Sequence, residues 1–150
     1  MILSYTPTAD DLLRLAPELA LLGGALLILL ADLVLPERAK GLLAAVALAA
    51  LAVSAAADVY VLTQGTDKPA FLGMLASDRM VLFTSLVILG AAALGIIFSA
   101  SYVPTFASGH DAEYLALMLL AAFGMTIMAA GQHLAIIFLG LEILSVSLYV

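Results

Sequence analysis

The chain has 150 residues, 65% of them hydrophobic and 11% charged, with a mean hydropathy of +1.23; a soluble domain carries about 25% charged residues, so water is excluded as the main solvent. Zero cysteines exclude disulfides, thiolate-bound zinc and cysteine-held iron–sulfur clusters, and leave the compartment open. The net charge of −6 comes from eleven acids and five bases scattered between apolar runs; with no basic block, nucleic acid is not an expected partner.

The first eleven residues lack the positive region and short apolar core of a cleavable signal, so the first apolar run reads as a retained, uncleaved anchor. Five runs are long enough to cross a bilayer as helices, at 17–35, 41–63, 79–101, 112–131 and 133–150. The first begins at Pro17-Glu18, after Asp10, Asp11 and Arg14: a proline in the first turn and an acid at the helix N-terminus form a start signal. Pro36-Glu37-Arg38-Ala39-Lys40-Gly41 separates the first two runs and Gln64-Gly65-Thr66-Asp67-Lys68-Pro69 the next two.

Ser77 and Asp78 are candidate caps for the third run, which Pro104 and Ser108-Gly109-His110-Asp111 close. Ala91-x-x-x-Gly95 within it suits close packing of helices in lipid. Ser108 or Asp111 caps the fourth run, and Glu113 suits the positive end of its dipole. The tight seam Gly131-Gln132-His133 makes the last two runs an antiparallel hairpin. Nothing caps the fifth run at Val150, and further chain is expected beyond it. Arg38 and Lys40 fall on one side, Arg14, Lys68 and Arg79 on the other, so charge bias fixes no orientation. The expected fold is an all-α integral membrane protein of about five transmembrane helices. Its expected units are a three-helix segment with loops, 1–111, and a helix pair, 112–150.

One residue resists this apolar pattern. Glu142 lies nine residues into the fifth run, about 14 Å from His133 and near the midplane of a hydrocarbon core about 30 Å thick. An acid there costs on the order of 3 kcal/mol, while the eleven Leu, Ile, Phe and Val residues of the run return about 0.3–0.6 kcal/mol each. Insertion therefore survives the acid without explaining it. Intramembrane carboxyls mark proton or ion paths, and that reading is preferred here to a static ion pair. Phe138, Glu142, Ser145 and Tyr149 share one helical face, expected to point into the protein, with Ser145 and Tyr149 as polar neighbours. His133 falls on the opposite face, which rules out a His–Glu metal site within this helix.

The other polar residues read as structural. His110 and His133 are boundary residues at opposite ends of the fourth run, and Asp32 and Asp58 lie near enough to helix ends to reach the interface. No phosphate loop, nucleophile elbow or carboxylate dyad occurs.

From Glu113 onward, Glu-Tyr-Leu-Ala-Leu-Met-Leu-Leu-Ala-Ala-Phe-Gly-Met-Thr-Ile-Met-Ala-Ala and then Phe138-Leu-Gly-Leu-Glu-Ile-Leu-Ser-Val-Ser-Leu-Tyr-Val150 resembles the antiporter-like membrane subunits of proton-pumping NADH:quinone oxidoreductase, respiratory complex I. Gly140-Leu141-Glu142 is similar to the subunit N branch, whereas the L and M branches and multisubunit cation/proton antiporters usually place Trp before the glutamate. Leu15-Ala16-Pro17-Glu18 and Leu30-Ala31-Asp32-Leu33 also resemble the start of that branch.

The resemblance implies a fold of about fourteen helices, of which these are the first five, in a bacterial inner membrane with the amino terminus on the periplasmic side. It implies that Glu142 is the family's helix-five glutamate, which pairs with a lysine on a later broken helix and gates proton transfer. Gln132-His133 departs from the Asn-Asp pair often found there, and no function is carried onto it. By the same resemblance this chain holds no cofactor; quinone, NADH, flavin and iron–sulfur clusters belong to other subunits. Its partners are lipid, the other membrane subunits and protons. Two alternatives stay open: a stand-alone cation/proton antiporter subunit, and a purely structural membrane subunit.

Overall fold

A computed structural model describes residues 9–35, 41–63, 71–106 and 111–149. The seams at 36–40 and 64–69, Ser108, His110 and Val150 lie outside the described residues. Those described form six α-helices: α1 (Ala9–Arg14), α2 (Ala16–Val34), α3 (Gly41–Thr63), α4 (Arg79–Phe106), α5 (Asp111–Ala130) and α6 (Leu134–Tyr149). The long helices follow the five apolar runs closely. α2, α3, the Arg79–Ser99 stretch of α4 and α5 are each long and apolar enough to cross a membrane, and α6 is a shorter apolar helix.

Two boundaries differ from the sequence reading. The chain is already helical at α1, and the helix breaks at Leu15 because Pro17 has no N–H to donate to the carbonyl of Leu13. At the other extreme, α4 continues past Pro104 to Phe106. A proline so close to a helix end removes one backbone bond from the final turns and leaves the preceding ladder intact.

The packing stripe recurs every three or four residues: Leu21, Ala25 and Ile28 on α2; Leu43, Ala47 and Leu51 on α3; Leu89, Ala92 and Ile96 on α4; Leu115, Leu119 and Ala122 on α5. α5 is the central helix, packing on α2, α3, α4 and α6. A larger share of its apolar stretch is buried than in α2, α3 or α4. The opposite faces of the outer helices leave Leu26, Leu33, Phe83 and Phe98 exposed. Such an apolar exterior suits lipid, where association depends on close van der Waals contact between helices.

Small residues provide that contact. A Cβ on Gly24 would overlap Ala50 of α3, and one on Gly95 would lie 2.8 Å from Met118 of α5. Gly95 of the expected Ala91/Gly95 pair therefore packs inward, whereas Ala91 is exposed and its neighbour Ala92 is buried.

The helix ends on the amino-terminal side are tied together by backbone. Phe71 N–H donates to the Asp11 carboxylate at 3.1 Å, Ala76 N–H to Ala130 O at 2.8 Å and Gln132 N–H to Met74 O at 2.9 Å. Asp78 caps α4 as expected, accepting from Val81 N–H at 2.8 Å. Asp111 is the first residue of α5, where its Oδ1 is buried without a hydrogen-bond partner, so no cap bond is made by that oxygen. Glu113 lies in the same first turn and is exposed, as a dipole-favoured acid would be.

Candidate functional site

The α5–α6 hairpin is locked by two glycines. A Cβ on Gly124 would lie 2.8 Å from both Gly140 O and Leu144 N, and a Cβ on Gly140 would lie 2.8 Å from Gly124 O and 2.9 Å from Met128 N. Backbone meets backbone there, which no other residue type permits, and the rotation of α6 about its axis is fixed. Gly140 is buried against α5. Two residues on, about 200° round the helix, Glu142 projects from the opposite side.

Glu142 is accordingly exposed, as are Phe138 and Tyr149, while Ser145 is half-buried. The carboxylate face was expected to point into the protein; within this chain it points outward, because α6 packs chiefly on α5 and nothing described covers its far side. Among the described residues no hydrogen bond or ion pair reaches Glu142. The arrangement is an acid on an apolar helix, held in fixed orientation by its neighbour, with its approach side uncovered.

The two residues at the α6 entrance are structural here. His133 is exposed, and its carbonyl accepts from Ile136 N–H at 3.0 Å and Ile137 N–H at 3.1 Å, starting the helix; Gln132 contributes its backbone N–H to the loop contact above. Among the described residues no group of three or more His, Cys, Asp or Glu side chains could hold a metal ion.

A second polar group was missed by the sequence reading. Asp58 does not reach the interface: it is 2% exposed, and Ser85 Oγ of α4 donates to its Oδ2 at 2.6 Å. Five residues from the end of α3, its short side chain is bonded to α4 and cannot extend to water as a lysine could. Ser54, one turn earlier on the same face, is fully buried. Glu18 of α2 also has a buried carboxylate oxygen, Oε2, with no hydrogen-bond partner among the described residues. The available signal was the i, i+4 pair Ser54/Asp58 on a helix otherwise almost wholly apolar.

No protein-family model matches the chain. It is 44% identical over 137 residues to NADH-quinone oxidoreductase subunit N 1 of Symbiobacterium thermophilum, aligning 90% of this chain with 27% of that protein. Subunit N 1 of Koribacter versatilis is 39% identical over 94% of the chain and 29% of its own length, and subunit N of Leptospira biflexa 34% identical over 99% and 31%. The chain belongs to the subunit N family. It corresponds to the amino-terminal part of those relatives and spans less than a third of their length. Subunit N membership, with four apolar spans and a fifth shorter apolar helix, makes this an all-α multi-pass membrane protein.

Proposed function

We propose that this chain is the amino-terminal part of a membrane subunit of NADH:quinone oxidoreductase that contributes to proton translocation coupled to quinone reduction, with Glu142 as a proton-transfer carboxylate. The observation that carries the reading is the placement of Glu142: it stands on an apolar membrane helix, turned outward by the Gly124/Gly140 contact. A carboxylate in that position requires a partner from elsewhere in the protein or the complex. When a cation approaches, the ionised form is favoured; when it withdraws, proton uptake is favoured. Movement of a cationic partner thus converts into proton loading and release, and the Ser145 hydroxyl and Tyr149 phenol on the same face are candidate relay groups.

In this reading residues 112–150 open the antiporter-like bundle, and 1–111 form a segment beside it. Redox groups and quinone are held by other subunits, and the chain works in a bacterial inner membrane, as the bacterial sources of its relatives suggest. The stand-alone antiporter is disfavoured by Leu141, and the relatives named above are all called NADH-quinone oxidoreductase subunits.

The test has two parts. Affinity-tagged full-length protein should copurify with NADH:quinone reductase activity; isolation without it refutes the complex. In membrane vesicles, Glu142→Gln should slow NADH-driven proton pumping and Glu142→Asp restore part of it. Normal pumping by the amide variant refutes the role of Glu142.

A further inference from the structure

The segment 71–77, which leads into α4, joins two parts of the bundle on the amino-terminal side. At one end it meets α1: Phe71 N–H donates to Asp11 Oδ1 at 3.1 Å, while the Asp11 carbonyl accepts from Leu15 N–H at 3.2 Å at the break before α2. At the other end it pairs with the α5–α6 turn. Ala76 N–H donates to Ala130 O and Gln132 N–H to Met74 O, which sets Leu75 directly opposite Gly131 in an isolated antiparallel bridge. Gly131 has no room for a side chain: a Cβ would lie 2.9 Å from Ile137 Cγ1 and 3.3 Å from Ile136 Cγ2, both in the first turn of α6. The strap is thus in direct register with the entrance to the helix that carries Glu142.

Phe71 is the point of strain in this strap. Its φ is 49°, and among the described residues it is the one non-glycine residue with a positive φ. A side chain with a Cβ holds the left-handed region only where its surroundings impose it. Two bonds impose it here. Met74 N–H donates to Phe71 O at 3.1 Å, a bond made within the turn that travels with it. The Asp11 bond spans 60 residues and ties the turn to another helix. Without Asp11 the backbone at Phe71 is released toward extended conformations, and Met74 O and Ala76 N–H, a few residues on, lose their register with Gln132 and Ala130.

We propose that Asp11 is a positioning residue for α6: its carboxylate latches the 71–77 strap onto α1, and the strap holds the α5–α6 turn from which α6 starts. The Gly124/Gly140 contact fixes the rotation of α6 but leaves the helix able to tilt about that point. A second attachment at Gly131, nine residues or about 13 Å along the chain toward the helix start, removes the tilt. Asp11 therefore sets how α6 presents Glu142 without approaching that carboxylate. The consequence for proton transfer rests on the role proposed for Glu142; the latch itself does not.

The experiment combines hydrogen–deuterium exchange of the full-length subunit in its assembled complex with the number of protons moved per NADH oxidised in sealed vesicles. Asp11→Ala should speed exchange of the Ala76 and Gln132 amides about tenfold, the weight of a hydrogen bond to a charged group. The Val81 amide, held by Asp78, keeps its wild-type protection. Adding Phe71→Gly should restore protection, since glycine adopts a positive φ without strain. The proton ratio should fall in Asp11→Ala with NADH oxidation retained, and recover in the double variant. Unchanged exchange at Ala76 and Gln132 overturns the latch, as does a loss that Phe71→Gly does not recover. Faster exchange with a wild-type proton ratio overturns the positioning role. Glu142→Gln measured alongside separates the two readings: if it leaves the ratio unchanged, proton transfer by Glu142 has failed and exchange alone decides the latch. Should Asp11→Ala not assemble, Phe71→Gly by itself decides, with slower exchange of both amides expected and no slowing overturning the proposal.

Discussion

Gly124 and Gly140 face each other backbone to backbone, so that a methyl group on Gly140 would lie 2.8 Å from the carbonyl oxygen of Gly124. This contact sets where α6 points its carboxylate. An alanine at either position must push the hairpin apart, an overpacking cost of about 1–3 kcal/mol. Gly140→Ala and Gly124→Ala are therefore expected to lower the thermal unfolding midpoint in detergent. Gly23→Ala is the control: nothing lies within 4 Å of its added methyl, and alanine is the better helix former. It should leave the midpoint unchanged or raise it.

The Ser85–Asp58 hydrogen bond predicts a buried loss. Ser85→Ala removes a donor from a carboxylate that water cannot reach and should destabilise by about 1–3 kcal/mol. Thr84, beside it, bonds only the Met80 carbonyl of its own helix, and Thr84→Ala should be close to neutral. Parallel thermal melts of the two variants check the contrast.

Asp78 gives a third expectation. It is the side chain that caps α4, and Asp78→Ala should cost about 0.5–2 kcal/mol, with Asp78→Ser recovering most of it. Unfolding midpoints again provide the measure. Equal loss in both variants would argue that the cap bond is not the source.

The lipid-facing and protein-facing stripes separate in the same way. Leu119 and Ile96 are 0% exposed, and replacing either by alanine should cost about 2–5 kcal/mol. Leu33, 84% exposed, should tolerate Leu33→Ala within about 0.5 kcal/mol in a lipid or detergent environment. Chemical cleavage or labelling of the folded state in lipid nanodiscs reports each.

Much of this architecture is legible in the sequence because membrane spans are the strongest signal a chain can carry: long apolar runs and polar seams predict α2 to α6 closely. Helix ends are less legible, since Leu15 breaks α1 from α2 through a missing bond of Pro17, and Pro104 fails to stop α4. The Asp78 cap follows from its side-chain chemistry and is found where expected. Side-chain direction is the weakest signal. Asp58 lies near enough to a helix end to suggest the interface, yet which way it turns depends on Ser85, 27 residues away, and on the approach of α2 at Gly24. For Glu142 the helical face shared with Ser145 and Tyr149 follows from spacing, but its outward direction follows from Gly140, whose role becomes clear only when Gly124 is brought opposite it.

The central claim is that Glu142 transfers protons. Its most direct test is the number of protons moved per NADH oxidised by the intact complex carrying Glu142→Gln, measured in sealed vesicles alongside wild type. A reduced ratio, with the complex assembled and NADH still oxidised, is the predicted result. An unchanged ratio would contradict the account and leave Glu142 a structural residue.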